Sequence, residues 1–209
     1  MTKPAGYLVH PADKPQPSDQ VLLKDLRNHL GQRVDAIHRI DRPTCGIVLF
    51  SLDREMTRQM NVLMDQRKVE KNYLAVISGR PEEEQWSNCE PLRKTESSPL
   101  QAAQTDFRIL QTSTNPSWGD ISLSLLECRP QTGRFHQIRR HLAAQGHPIV
   151  GDYRYAGIAL SDKLGQVLST GTRMLLQAKS LSFQHPATGE LLDLISPTEP
   201  LIAGLFESA

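Results

Sequence analysis

The run His38-Arg39-Ile40-Asp41-Arg42-Pro43-Thr44-Cys45-Gly46 sets one carboxylate among arginines, in a Pro- and Gly-punctuated stretch just ahead of the apolar residues Ile47 to Phe50. A carboxylate beside guanidinium groups stays ionised and is held in a fixed direction by charge-assisted hydrogen bonds. That suits a nucleophile or base working next to a polyanion. A second concentration runs from Gln131 through Thr132, Gly133, Arg134, Phe135, His136, Gln137, Ile138, Arg139, Arg140 and His141 to Leu142. On a helix Ile138 and Leu142 share one face and His136 and Arg140 another, each pair being four residues apart. Arg139 sits beside the Ile138 stripe and can reach inward from its edge. From Arg129 to Arg154 five arginines stand against one acid, Asp152. Arginine is the better phosphate clamp because its planar fork binds bidentately.

Each of these features has a plainer reading. A basic helix taken alone is more often an amphipathic surface helix with a solvated face. A lone aspartate after a helix is usually a cap or a surface charge. Tyr73, four residues before Ile77, is more often core than contact. His136, His141 and His147 lack the spacing of a helical metal pair, which argues against a metal site. His10 and His185, each beside a proline, read as turn residues. Neither a G-x-S-x-G elbow nor a G-x-x-x-x-G-K-[ST] phosphate loop occurs. Cys45 lies near His38 but belongs to no recognisable nucleophile pattern, so it reads as packing.

The elements that must position these residues follow from periodicity. Leu22, Leu23, Leu26 and Leu30 repeat at helical spacing, with Gly31 as a natural stop. Ile47 to Phe50 reads as a buried strand. Asp53 opens a helix to about Arg67, with Met56, Met60, Leu63 and Met64 on one face. Tyr73 to Ile77 reads as a strand ending at Gly79. Residues 81–100 read as a loop with one edge strand. Ala103 to Leu110 and Ile121 to Cys128 alternate as strands, joined by a turn-rich connection from Thr112 to Gly119. Gly133 leads into a helix, roughly Phe135 to Gln145. Residues 156–172 read as a loop with at most a short helix. Met174 to Ser182 and Leu191 to Ile195 read as strands around a turn at His185 to Gly189. Strand runs broken by three helices predict an α+β fold with a mixed, largely antiparallel sheet and flanking helices.

The bulk numbers set the frame. A chain of 209 residues buries a proper core, as one domain or two small ones. Its 24 basic and 23 acidic residues nearly cancel, so charge distribution rather than net charge bears on a nucleic-acid partner. Three dispersed cysteines fit neither a disulfide framework nor a zinc site. No apolar leader opens the chain and no run is long enough to span a bilayer, which predicts a cytoplasmic protein.

Together the segments resemble the RluA-type pseudouridine synthases, and among them the TruC-like tRNA-modifying members. Lys3-Pro4-Ala5-Gly6 with Val9-His10 is similar to the opening K-P-x-G…V-H. His38 to Thr44 is similar to the catalytic H-R-[LI]-D block, and Lys71-Asn72-Tyr73-Leu74-Ala75 to the K-x-Y-x-A strand. Gly133-Arg134 through Gly151-Asp152 is similar to G-R-x-H-Q-[IL]-R-x-H-L…G-H-P-I-x-G-D. Met174 to Ala178 resembles [RM]-L-x-L-H-A, with Gln177 in the usual histidine place. The blocks fall in family order. The family carries a strand before K-P-x-G, whereas this chain starts almost at the motif, so that strand is expected to be missing or the sheet to lose an edge. The expected organisation is a single catalytic domain over residues 1–209 with no S4-like RNA-binding segment.

The resemblance implies isomerisation of uridine to pseudouridine in RNA, with tRNA favoured over rRNA, without metal, nucleotide or redox cofactor. Oligomeric state is not readable from the sequence, with a monomer as the default, and neither a membrane nor a protein partner is expected. Asp41 is implied as the catalytic carboxylate and Arg139 as the arginine paired with it. The target nucleotide must leave the stack to be reached. Arg39 is implied to fill the vacated space, Tyr73 to lie against the flipped uracil, and Ile138 to form part of the apolar wall. Arg134 and Arg140 are left to hold either phosphates or the protein's own loops. The competing readings are an RNA-binding or chaperone module on the same scaffold, an rRNA-directed synthase, an Asp-dependent nucleosidase, and a plain structural domain.

Overall fold

The computed structural model of the chain describes residues 1–206. Its first elements are β1 (Thr2–Lys3), α1 (Leu22–Leu30), β2 (Asp35–Ala36), β3 (Cys45–Ile47), β4 (Phe50–Ser51) and α2 (Arg54–Asp65). Both helices end as their sequences predict. Gly31 caps α1 in the left-handed region at φ 63° and its N–H bonds the Arg27 carbonyl. Asp53 caps the start of α2, its carboxylate accepting from the Met56 N–H. The apolar stretch Ile47 to Phe50 is not one strand. Val48 N–H bonds the Met1 carbonyl and Leu49 N–H bonds the His38 ring, so the backbone between β3 and β4 serves two different partners.

The chain continues with β5 (Glu70–Ser78), β6 (Gln85–Asn88), β7 (Thr105–Thr114), a 3-10 turn at Pro116–Trp118, β8 (Ser122–Pro130) and α3 (Gln137–Ala144). Then come α4 (Ile158–Val167), β9 (Leu176–Gln184), β10 (Leu191–Ile195) and α5 (Pro200–Gly204). The expected loop at 156–172 is thus mostly a ten-residue helix, and α5 extends the expected three helices to five among the described residues. Pro200 at the first turn of α5 was its available signal. The fold is mixed α+β with a largely antiparallel sheet.

The chain divides into two compact units, Met1–Lys71 with Ala178–Pro197, and Asn72–Gln177 with Thr198–Ala209. In the first, β1 pairs antiparallel with β3, Thr2 opposite Ile47. A two-residue strand thus runs into the K-P-x-G segment and ends on its lysine. β9 and β10 form a hairpin in register from Leu191–Gln184 to Ile195–Ser180. Met60 is buried, and Met56, Leu63 and Met64 pack beside it against Ile47, Leu181 and Phe183. Gly46 has no substitute, because a Cβ there would lie 2.1 Å from the Ala178 carbonyl oxygen.

In the second unit the strands run in the order β5, β8, β7, β6, all antiparallel, so β6 is the edge strand expected within 81–100. Alternation along β5 sorts its side chains. Tyr73, Ala75 and Ile77 face the cluster containing Ile138 and Leu142 of α3, while Val76 faces a second cluster with Leu164, Leu175 and Ile202. That period of two sets Tyr73 on the α3 side of the sheet. Gln177, in the family's histidine place, is buried, and its side-chain oxygen accepts from Glu199 N–H at 2.9 Å.

Candidate active site

Asp41 and Arg39 belong to the first unit. Their loop is braced by backbone rather than by regular structure. Lys3 is fully buried and its ammonium donates to the carbonyls of Pro4 (2.9 Å), Tyr7 (2.8 Å) and Arg42 (3.1 Å). The three donors of an ammonium match those three acceptors, which is how a lysine can sit inside a protein. Arg42 reinforces the same junction. It exchanges hydrogen bonds with Gly6, side chain to carbonyl at 3.0 Å and carbonyl to N–H at 2.8 Å, and pairs with Asp19 at 3.0 Å. Inside the loop Thr44 N–H bonds the Asp41 carbonyl at 3.1 Å, closing a turn, and Ile40 is buried. Asp41 itself is partly buried and Arg39 is exposed.

His38 holds the other side of this loop. Its Nε2 accepts from Leu49 N–H at 3.1 Å. Burial, aided by the Lys71 and N-terminal charges, lowers its pKa from 6.5 to about 4. The ring is therefore neutral near pH 7, as an acceptor nitrogen requires. His10, lowered by burial and by Arg39 and Arg27, marks where the field of Arg39 reaches.

Tyr73, Ile138 and Arg139 belong to the second unit. Tyr73 and Ile138 pack on the same apolar cluster, and Arg139 follows Ile138 on α3. The guanidinium of Arg139 is buried and gripped by Asp152, Nε to Oδ2 at 2.7 Å and Nη2 to Oδ1 at 2.8 Å. Its carbon also lies 5.1 Å from the Tyr155 ring centroid. Bidentate pairing fixes a guanidinium in plane as well as in position. Asp152 arrives there through Gly151, whose φ of 75° and approach to the Arg173 carbonyl leave no room for a Cβ.

The rest of the α3 block holds the helix in place. Gln137 is buried with all its polar capacity engaged. Its oxygen accepts from Thr132 Oγ1 and Arg134 N–H, and its nitrogen donates to the Gln104 carbonyl and Thr105 Oγ1. One turn on, His141 joins Thr105 Oγ1 and the Glu90 carbonyl. These two residues at i and i+4 anchor α3, while Ile138 and Leu142 bury its other face. His136 adopts the left-handed region at φ 52°, which is why α3 begins at Gln137 rather than at Phe135. Arg134 and Arg140 tie down the protein's own loops, donating to the Ala102 and Arg93 carbonyls.

Asp152, Tyr155 and the clamp of Gln137 and His141 were not singled out as site residues from sequence. Asp152 carries two signals, its place as the only acid among five arginines and its position at the end of the G-H-P-I-x-G-D-like block. Tyr155 carries none.

A family model described as RNA pseudouridylate synthase matches residues 1–144. The chain is 35% identical over 205 residues to tRNA pseudouridine synthase C of Vibrio parahaemolyticus, covering 92% of this chain and 83% of that one. It is 35% identical over 202 residues to the protein of the same name from Haemophilus ducreyi, covering 90% and 82%. The solved structure of human RNA Pseudouridylate Synthase Domain Containing 1 shares the fold, with a TM-score of 0.77 at 23% identity over 98% of this chain and 80% of that one. The chain belongs to the RNA pseudouridylate synthase family. Its reaction is the isomerisation of uridine to pseudouridine within RNA. No described helix is long and apolar enough to cross a membrane.

Proposed function

We propose that the chain makes pseudouridine at a specific uridine of tRNA, as a cytoplasmic monomer, with Asp41 as the reacting carboxylate and Arg139 as the guanidinium that aims it. In the isomerisation the bond from ribose C1′ to N1 breaks and a bond from C1′ to C5 forms. The C5 proton leaves to solvent and N1 takes one up, so the product is an isomer and neither oxidant nor metal is called for. Tyr73 offers a flat ring for the detached uracil to turn against, Ile138 an apolar wall, and Arg39 an exposed cation at the catalytic loop. The names of the relatives support tRNA as the substrate.

The observation that carries this reading is the buried, doubly bonded guanidinium of Arg139, beside Ile138 on α3 and on the sheet face of Tyr73. A surface helix with a solvated basic face would leave its arginines in water. Here one is withdrawn, oriented and placed with an aromatic and an aliphatic wall.

The test is release of tritium from tRNA carrying uridine labelled at C5. The wild-type chain releases label and Asp41→Asn does not, while tRNA affinity and melting temperature stay as they were. Wild-type turnover by Asp41→Asn overturns the assignment. Free uracil and abasic RNA would identify a nucleosidase, tRNA binding without release would identify a binding module, and release from rRNA alone would move the target.

A further inference from the structure

The five arginines from Arg129 to Arg154 read from sequence as one basic patch, and the structure takes that patch apart. Arg129 is paired with Glu127 at 3.1 Å, and Arg139 is locked to Asp152. Arg134 and Arg140 donate to backbone carbonyls. Arg154 alone makes no hydrogen bond or ion pair among the described residues. It is exposed, and its guanidinium carbon lies 5.8 Å from the ring centroid of Phe135 and 5.9 Å from that of Tyr155. Phe135 is 40% exposed and is the one exposed aromatic side chain among the described residues.

Phe135 is held outward by a specific construction. His136, behind it in the chain, takes a left-handed conformation at φ 52° and ψ 31°, which a residue with a Cβ adopts at some cost. The two rings stack with centroids 3.7 Å apart and 21° between planes. The His136 Nδ1 is hydrogen-bonded to the Tyr155 hydroxyl at 2.9 Å, and Tyr155 lies under the Arg139 guanidinium. A continuous relay of packed rings thus joins the exposed Phe135 to the buried arginine of the site. One face of Phe135 is covered by His136, while much of the residue stays open to solvent.

We propose that Phe135 and Arg154 form a nucleotide subsite outside the uridine pocket. A base of the RNA adjoining the target stacks on the open part of the Phe135 ring, and Arg154 holds that nucleotide's phosphate. The inference rests on the function proposed above, since it presumes an RNA substrate. Its chemistry is that of single-strand recognition elsewhere, an aromatic platform beside a cation with no hydrogen bond or ion pair of its own among the described residues. A base everted for reaction leaves neighbours unstacked, and a protein ring can cover one of them.

The experiment measures tRNA affinity directly, together with KM and kcat for tritium release, in wild type and in Phe135→Ala, Phe135→Leu, Phe135→Trp and Arg154→Gln. Phe135→Ala is expected to weaken affinity and raise KM between about 5-fold and about 150-fold, the range of one lost base–aromatic stack. Phe135→Leu should be as impaired as alanine and Phe135→Trp should recover most of the loss, with the change in KM rather than kcat. Arg154→Gln should lower the slope of log affinity against log salt by about 1. Unchanged affinity in Phe135→Ala overturns the subsite, and so does full recovery by leucine. Melting temperatures check that each variant folds. If wild type binds tRNA but releases no label, the proposed reaction fails and the subsite is still decided by the affinities. If wild type binds no RNA, both fall.

Discussion

Asp152 and Arg139 are each nearly withdrawn from solvent, with side-chain exposures of 1% and 6%. Asp152→Ala takes two charge-assisted hydrogen bonds and a facing carboxylate away from a buried guanidinium. Removing one side of a buried, hydrogen-bonded pair of this kind costs about 3–5 kcal/mol. Asp152→Asn retains an acceptor and should cost less, about 1.5–3 kcal/mol. Asp152→Asn combined with Arg139→Met should cost less than the two single changes summed, because the bidentate bonds couple the two side chains. Urea unfolding at pH 7 reads all of these as changes in midpoint at constant slope. In the folded fraction, Asp152→Asn should slow tritium release far more than it weakens tRNA binding, because the guanidinium loses its fixed plane. A cost below about 1 kcal/mol for Asp152→Ala would refute the reasoning. So would a double variant less stable than the sum of the singles.

His38 ties stability to pH. Its pKa falls from 6.5 in an ordinary setting to about 4 in the fold, so its contribution is complete above pH 6.5 and fades as pH falls through 4. Urea midpoints measured at several pH values should show wild type losing stability over that interval more steeply than His38→Gln, and parallel curves would contradict this. Tyr73→Phe keeps the ring packed on its cluster and should fold with an unchanged melting temperature while losing most of its turnover. Wild-type turnover there would show that stacking alone is what Tyr73 provides.

Much of this architecture was legible in the order of residues. The α2 face of Met56, Met60, Leu63 and Met64 packs as its period predicts, and β6 falls as an edge strand where composition placed one. The misses have physical causes. Ile47 to Phe50 reads as one strand because its apolarity is continuous, but the hydrogen-bond partners of Val48 and Leu49 come from Met1 and His38, which no local pattern encodes. The start of α3 shifted because the conformation of His136 is set by stacking and by Tyr155, nineteen residues on. For the site, motif order identified the blocks of Asp41, Tyr73 and Arg139. It could not separate the arginines, since charge counts do not reveal which guanidinium already has a carbonyl or carboxylate to itself. Nor did the lysine of K-P-x-G announce itself as a buried brace, since Lys3 looks in sequence like any basic residue near a terminus.

The clamp on Arg139 has a consequence for how RNAs would compete as substrates. Its orientation is set by the chain's own Asp152 and Tyr155. Little of the binding free energy then goes into assembling the protein, and most of it is available for prising a nucleotide out of its helix. Relative rates among candidate RNAs should therefore follow how easily each one opens at the chosen position, so that a weakly paired uridine outpaces a firmly stacked one in the same sequence.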